Sequence, residues 1–283
     1  MLRLHSAYVM LTPALLVVGI LFGGGLALAI GQSVGLISLV ADPQFTVAAY
    51  GQVLREPDFW RSLGVSLYLA LLGTGLSVGL SVGLAIAMRG MAAWVSFALQ
   101  LTLPIPHLVG VVGMLLLLSP SGWLARMALA GGWIGTDQDF PLLVNDPGYR
   151  GVLIHFLWKE IPFATLILLS VLHSIRPGYE MQARLLGATA WQSFWHVTLP
   201  LLRPGILSAS VIIFGFILGS FEVPFLLGAT HPPTLSVQIY RWFTDVDLQR
   251  RSEAMALAVI LAIVSSGLVA VYLWLGDRWG SKS

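Results

Sequence analysis

The sequence contains no cysteine among its 283 residues, and only 10% of its residues are charged. The absence of cysteine excludes disulfide bonds, iron–sulfur clusters and thiol catalysis. Soluble globular domains carry about 25% charged residues, so a chain that is 57% hydrophobic is predicted to be a membrane protein. No polar segment is long enough for a separate soluble domain. The net charge of only +2, with dispersed basic residues, gives no indication of a nucleic-acid partner.

Motifs of common enzyme classes are also missing. The chain ends in Gly-Ser-Lys-Ser, but a phosphate-binding loop needs an earlier glycine, a strand and a following helix, so the chain itself is not expected to bind ATP. The six histidines are scattered and form no His-Glu-x-x-His pattern, and no metal site is expected. No Gly-x-Ser-x-Gly elbow with plausible partners is present. We therefore predict no catalytic residue and no cofactor bound by this chain.

The sequence contains many long apolar runs. A spanning helix needs about 20 predominantly apolar residues, and the first run is too long for the apolar core of a signal peptide. Six stretches qualify, at residues 8–30, 63–88, 93–118, 150–173, 205–228 and 254–275. The sequence thus predicts one all-α transmembrane domain over residues 1–283.

An even number of spans places both termini on the same side of the membrane. The basic residues divide almost evenly between the two sides, but the inner segments are shorter if the N-terminus is inside. The higher density of Lys and Arg there favours cytoplasmic termini.

The stretch from Arg176 to Pro204 carries a consistent set of local signals between two spans. Pro177 suits the first turn of a helix, and Gly187 is suited to end that helix. Thr189 followed by Gln192 is the capping-box pattern that starts a second helix. A helix-turn-helix hairpin is predicted.

The second helix of this hairpin has an aromatic face, because Trp191, Phe194 and Trp195 fall at helical spacing. Pro200 removes a donor and disfavours helical geometry at Leu199, so we expect the helix to stop there. An ordinary amphipathic loop between two spans is the alternative interpretation.

This pattern resembles the coupling loop of permease subunits of bacterial binding-protein-dependent ABC importers, in which an acidic residue and alanines precede a Gly-Ala pair, an aromatic or apolar stretch and Leu-Pro. The residues that fit in register, or carry the loop's acidic and aromatic character, are Glu180, Ala183, Gly187, Ala188, Trp191, Phe194, Trp195, Leu199 and Pro200. The departure is at the acidic position, where Met181 stands and Glu180 lies one residue early.

Three further motifs look like the spermidine/putrescine-type branch: Leu-Pro-Ile-Pro-His, Trp-Lys-Glu-Ile-Pro-Phe and Gly-Ser-Phe-Glu-Val-Pro-Phe-Leu-Leu-Gly. With the hairpin, the resemblance covers roughly residues 60–275. It implies a type I importer fold in the bacterial inner membrane. The partners implied are a cytoplasmic ATPase dimer that binds ATP and Mg, a second permease (a relative or a copy) and an extracytoplasmic solute-binding protein. The implied cargo is a polyamine-like cation; thiamine, ferric ion, phosphonate or another small solute stay open.

Polar residues and prolines inside the spans are candidates for a substrate pathway: Pro106, His107, Lys159, Glu160 and Glu222. Each has a structural alternative. The prolines of the third span break its hydrogen-bond ladder and form either a pathway or a kink. Lys159 and Glu160 either line a pathway or form an internal ion pair. Glu222 either faces a cavity or reaches towards the membrane surface.

A secondary carrier driven by an ion gradient is the competing function. Carriers often contain two related halves with broken helices in matching positions. Residues 1–140 and 141–283 show no convincing repeat, which favours the importer interpretation.

Overall fold

The computed structural model describes residues 2–38, 42–175 and 178–280. Regular structure in these ranges is helical, apart from one isolated backbone bridge between Asp146 and Gly228. Six helical stretches are long and apolar enough to cross a membrane: Met10–Ser33, Pro57–Met88, His107–Ala130, Arg150–Ser174, Ala190–Gly219 and Arg250–Trp274. The predicted all-α, six-span fold class is confirmed.

The helices are, in chain order, α1 (Leu2–Val18), α2 (Gly24–Ser33), α3 (Ala48–Arg55), α4 (Pro57–Met88), α5 (Ala93–Gln100), α6 (His107–Leu118), α7 (Trp123–Ala130), α8 (Arg150–Ser174), α9 (Gly178–Leu185), α10 (Ala190–Ser193), α11 (Leu199–Gly219), α12 (Glu222–Leu227), α13 (Leu235–Phe243) and α14 (Arg250–Gly280). One π-turn, Gly19–Gly23, joins α1 to α2, and a second, Phe194–Thr198, joins α10 to α11. A short 3-10 turn covers Asp137–Asp139.

The chain divides into two compact units. The first comprises the described residues of Met1–Ser62 and Leu235–Val264. Val53, Phe59 and Leu257 are among its buried side chains. Two cation–π contacts connect α13 to the start of α14: Arg250 lies over Trp242 and Arg251 over Phe243.

The second unit comprises the described residues of Leu63–Thr234 and Ser265–Ser283. It is organised around α8, which packs along α11. One end of its core is a cluster of apolar side chains from α4, α8 and α11 and the segment after α8: Ala85, Met88, Leu168, Leu169, Leu172, Ile175 and Leu202. All are buried, and such contacts between spans stabilise the bundle through close packing rather than through transfer from water.

The predicted third span, residues 93–118, is not one helix. Helix α5 ends at Gln100, residues 101–106 are not helical, and α6 begins at His107. The prolines at 104 and 106 account for the break, because each lacks an N–H donor and restricts the residue before it. The stretch long enough to span the membrane is displaced towards α7 and covers His107–Ala130.

Candidate functional site: an exposed hairpin and a broken helix

The first helix of the hairpin ends where the sequence predicts. Gly187 has a φ of +91°, a left-handed conformation that is inexpensive only for glycine. Its N–H donates to the carbonyl of Arg184 at 3.0 Å, and the N–H of Ala188 donates to the carbonyl of Ala183 at 3.0 Å. These two bonds form a Schellman motif that satisfies the last carbonyls of α9. Pro177, predicted at the start of this helix, lies outside the described residues.

The second helix begins with the predicted capping box. The N–H of Gln192 donates to Oγ1 of Thr189 at 3.2 Å, and the N–H of Thr189 donates to Oε1 of Gln192 at 2.9 Å. Two backbone donors that the helix leaves without partners are thereby satisfied. The turn between α9 and α10 is therefore fixed on both sides by hydrogen bonds.

The prediction that Pro200 stops the second helix is wrong. The helix widens into the π-turn Phe194–Thr198 and continues as α11, with Leu199 and Pro200 in its first turn. A π-turn shifts the hydrogen-bond ladder by one residue, and this shift accommodates the ring and the missing N–H of a proline. The hairpin thus runs without interruption into the fifth candidate span, Ala190–Gly219.

The aromatic side chains of the hairpin form one cluster. The ring centroids of Trp191 and Trp195 lie 5.5 Å apart, and those of Phe194 and Trp195 lie 5.4 Å apart. Trp191 is 68% exposed and Trp195 is 47% exposed. Leu185 and Leu186, at the turn, are more exposed still.

We call the exposed apolar side chains of the hairpin the hairpin patch; its members are Met181, Leu185, Leu186, Trp191 and Trp195. Exposed apolar patches mark surfaces that contact another protein or the membrane. The patch is the most exposed apolar part of the predicted loop.

Glu180 contacts residues of its own chain. Its Oε1 accepts a hydrogen bond from Oγ1 of Thr198 at 2.7 Å, and it also forms an ion pair with Arg89, which follows α4. Partial burial raises the pKa of Glu180, but the hydrogen bonds from Thr198 and Arg89 outweigh it and lower the pKa overall. The carboxylate is therefore charged at neutral pH.

Lys159 on α8 forms hydrogen bonds with the backbone at the break in the predicted third span. Its ammonium group donates to the carbonyls of Thr102 at 2.6 Å, Leu103 at 3.0 Å and Ile105 at 2.6 Å. These are carbonyls that the break deprives of helical partners. Lys159 is 5% exposed, and its three donors are matched to three acceptors.

Glu160 is also buried, at 6% exposure, but among the described residues the ion pairs do not include one between Lys159 and Glu160. These two neighbours therefore do not form an ion pair with each other. Adjacent helical residues point about 100° apart, and Lys159 is directed at the break instead.

A cluster of rings lies beside the break. The ring of His107 is 4.6 Å from that of Phe216 and 5.7 Å from that of His155, measured between centroids. Glu222 is exposed at the start of α12. Helices α6, α8 and α12, which carry His107, Lys159 and Glu222 of the predicted pathway residues, pack against one another, while Pro106 is exposed just before α6.

His155 is a member of this cluster that the sequence analysis missed. It is fully buried, and neither ring nitrogen has a hydrogen-bond partner. Its spacing of four residues from Lys159 places both on one face of α8, which is the signal that would have identified it.

The segment before α8 is a second feature that the sequence analysis missed. Asp146 accepts hydrogen bonds from Arg150, from Nε at 2.9 Å and from Nη2 at 2.8 Å. These bonds hold the pKa of Asp146 at about 2, well below its ordinary value, against the opposing effect of burial. Tyr149 has a φ of +58° and donates its hydroxyl to the carbonyl of Pro232 at 2.5 Å.

The chain has six candidate membrane spans and an exposed hairpin, fixed at its turn by hydrogen bonds, that leads into the fifth. The sequence profile of the family described as binding-protein-dependent transport system inner membrane component matches residues 75–278. The chain belongs to this family. It is a multi-pass inner-membrane component of a binding-protein-dependent transport system.

Several curated proteins are similar to this chain. ThiP of Escherichia coli, a thiamine transport system permease protein, is 31% identical over 60% of this chain and 30% of its own length. FbpB 1 of Haemophilus influenzae, a putative ferric transport system permease protein, is 27% identical over 61% of this chain. CysW of Synechocystis sp., a sulfate transport system permease protein, is 25% identical over 77% of this chain and 78% of its own length. The matches to FbpB 1 and to FbpB of Actinobacillus pleuropneumoniae, a ferric transport system permease protein, span only 26% and 19% of those proteins.

The fold matches that of a solved transporter. A chain of a bacterial ABC transporter involved in the import of the acidic polysaccharide alginate superposes with a TM-score of 0.79 at 24% identity, covering 98% of this chain and 96% of that chain. The same transporter in complex with an alginate pentasaccharide-bound periplasmic protein gives a TM-score of 0.78 at 25% identity. The likeness extends over nearly the whole length of both chains and establishes the fold.

Proposed function

We propose that this chain is one of two permease subunits of an ATP-driven importer and forms half of the translocation path for a small solute. The observation that carries the proposal is the hairpin patch. Its helices are capped at the turn by a Schellman motif and a capping box, yet its large apolar side chains are exposed. A rigid element that exposes tryptophan is what a docking surface requires.

The partner at the hairpin patch is a cytoplasmic ATPase subunit, which binds ATP and Mg. Trp191 and Trp195 provide the large apolar contacts, and the turn at Gly187 sets the angle between the two helices. Because the hairpin faces the ATPase, both termini of the chain are cytoplasmic. A second permease, a relative or a copy of this chain, completes the path, and an extracytoplasmic binding protein delivers the solute.

Transport follows from the differential affinity of ATP for two states of the complex. ATP binding closes the ATPase subunits, the hairpins move with them, and the spans change from inward-open to outward-open. The continuous helix from α10 through α11 carries the movement of the hairpin directly into a span.

The cargo is a small cationic solute. Glu222 exposes a carboxylate at the start of α12, which packs against α6, whereas the ammonium group of Lys159 is hydrogen-bonded to three carbonyls. The relatives are named for ferric ion, thiamine and sulfate. Ferric ion and thiamine therefore have more support than a polyamine, which rests only on the sequence resemblance.

Co-purification tests the proposed function. The tagged chain is extracted gently from its native membrane, and the proteins that accompany it are identified. We expect a stoichiometric ATP-binding subunit and a second permease. Trp191→Asp with Phe194→Asp should remove the ATPase, because it places charges in the centre of an apolar contact.

Trp133→Asp is the matched control, since Trp133 is 83% exposed but lies far along the chain from the hairpin. It should leave the complex intact. If the chain were purified without an ATPase and an ion gradient drove uptake without ATP hydrolysis, the secondary carrier would replace the importer as the proposed function.

A further inference from the structure

One polar contact ties the hairpin to the end of α4. Arg89 lies directly after Met88, the last residue of α4, and forms an ion pair with Glu180 on α9. Thr198, in the π-turn that leads into α11, donates its hydroxyl to the same carboxylate oxygen at 2.7 Å. A single carboxylate thus joins three segments of the chain.

Apolar packing does not provide this connection. Helix α9 has no buried residue, and its apolar side chains Met181 and Leu185 are 64% and 81% exposed. By contrast, the side chains of Arg89 and Glu180 are only 28% and 24% exposed, and Thr198 is 5% exposed. A half-buried, hydrogen-bonded ion pair is screened less by water and salt than a surface pair.

The end of α4 is in turn fixed to the bundle. Ala85 and Met88 are buried in the apolar cluster with Leu168, Leu172 and Leu202 of α8 and α11. If the ion pair stays intact when α9 moves, the movement is therefore transmitted to the packed ends of α4, α8 and α11. Without the ion pair, the movement reaches α8 and α11 through the chain itself but loses the side-chain connection to the end of α4.

We propose that Glu180, Arg89 and Thr198 form a latch that makes the hairpin and the end of α4 move as one body during the ATP-driven cycle. The three are positioning residues, and the inference rests on the proposed importer function. Glu180 is bound within its own chain, so its role does not depend on a basic residue of the ATPase.

Spin-label distances in the assembled importer test the latch without knowledge of the cargo. The chain has no cysteine, so introduced cysteines are labelled selectively. Gln182→Cys on α9, which lies outside the hairpin patch, is combined with Ala87→Cys on α4 or with Leu116→Cys on α6, all at exposed positions. Dilution with unlabelled chain keeps one labelled pair in each complex, and Mg-ATP with vanadate serves as the probe.

In the otherwise unchanged chain, the distance from 182 to 116 should change on addition of Mg-ATP and vanadate, while the distance from 182 to 87 stays constant. Arg89→Ala should make the distance from 182 to 87 change as well. Thr198→Val, which keeps the volume but removes the hydroxyl donor, should have the same effect in weaker form. Arg203→Ala removes an exposed arginine outside the latch and should change neither distance.

A charge exchange, Arg89→Glu with Glu180→Arg, should restore the constant distance from 182 to 87. A residue that served only to stabilise the fold would reduce the amount of assembled complex without uncoupling these two positions. The latch is refuted if either Arg89→Ala or Glu180→Ala leaves the distance from 182 to 87 constant. If the distance from 182 to 116 does not change in the unaltered complex, nucleotide does not move the hairpin, and the proposed function fails together with the latch.

Discussion

The ammonium of Lys159 lies 2.6 Å from the carbonyl oxygen of Ile105, across the break between α5 and α6. A charged side chain inside a span is usually destabilising, but here it stabilises the fold. A buried charge is expensive unless it is hydrogen-bonded, and unpaired carbonyls at membrane depth are expensive as well. The carbonyls accept hydrogen bonds from the ammonium group, and the ammonium group satisfies the carbonyls. Lys159 therefore lowers the energetic cost of the break between α5 and α6.

Lys159→Met should therefore destabilise the fold, although it removes a charge from a span. The carbonyls of Thr102, Leu103 and Ile105 lose their common donor, and buried acceptors left without partners cost about 1–3 kcal/mol each. We expect a loss of about 3 kcal/mol in the free energy of unfolding. Thermal unfolding in detergent measures it. Arg61→Ala, at a side chain that is 60% exposed, should change stability by less than about 0.5 kcal/mol.

The second prediction concerns Gly110 on α6, which packs against the buried His155; Gly113 on the same helix is its control. A Cβ added at Gly110 would lie 2.8 Å from Cζ3 of Trp158 and 3.0 Å from Cε1 of His155. At Gly113 it would meet nothing within 4 Å. Gly110→Ala should lower the unfolding temperature, at a cost of about 1–3 kcal/mol for overpacking. Gly113→Ala should be neutral or slightly stabilising; an equal loss for both variants would contradict the packing around His155.

The local parts of the site were predictable from sequence, and the non-local parts were not. The turn at Gly187 and the capping box at Thr189 depend on residues at most five positions apart, and both are present as predicted. The ion pair between Arg89 and Glu180 joins residues 91 positions apart, which no local pattern encodes.

The difference between local and non-local contacts also explains why the prediction for Pro200 was wrong and the prediction for the contacts of Lys159 was incomplete. Proline chemistry predicts a stop at Pro200, but whether a neighbouring turn widens to accept the proline depends on tertiary packing. The sequence places Lys159 and Glu160 side by side, yet the partner of Lys159 is a backbone segment more than 50 residues earlier. Only the helical spacing of His155 and Lys159 on α8 offered a local signal.

Asp146→Asn should lower the free energy of unfolding by an amount that depends on pH, because it removes the ion pair at the start of α8. Hydrogen bonds from Arg150 lower the pKa of Asp146 from 3.8 to about 2. Its contribution is therefore fully present above pH 3.8 and is lost as the pH falls towards 2. Since the arginine is 57% exposed, we expect only about 1–2 kcal/mol at neutral pH after allowance for screening. The stability difference between the two proteins should shrink between about pH 4 and pH 3; a constant difference would contradict the ion pair as its cause.

Glu222→Gln tests the sign of the cargo's charge. An exposed carboxylate at the proposed path attracts a cation by about 1 kcal/mol, so uptake of the solute carried by the co-purified binding protein should fall about fivefold. Basal ATP hydrolysis should persist, because the ATPase site is on another chain. An increase in uptake would indicate an anionic cargo such as sulfate, and an unchanged rate would remove Glu222 from the path.

The backbone of Gly187 allows the strictest test of the hairpin. Its φ of +91° disfavours every residue with a Cβ, but a Cβ placed there would meet nothing within 4 Å. The cost of substitution is therefore conformational, about 1–2 kcal/mol for Ala and more for a β-branched residue, whereas Asn tolerates left-handed geometry best. The amount of ATPase that co-purifies should fall in the order Gly, Asn, Ala, Val.

Gly178→Ala is the control for this series, because Gly178 starts the same helix without a positive φ and has equal space around it. It should leave the complex unchanged. If Gly187→Ala behaved like Gly178→Ala, the left-handed turn would not be needed to orient Trp191. If Gly187→Asn were as damaging as Gly187→Val, the glycine would be required for close approach of the partner rather than for its backbone conformation.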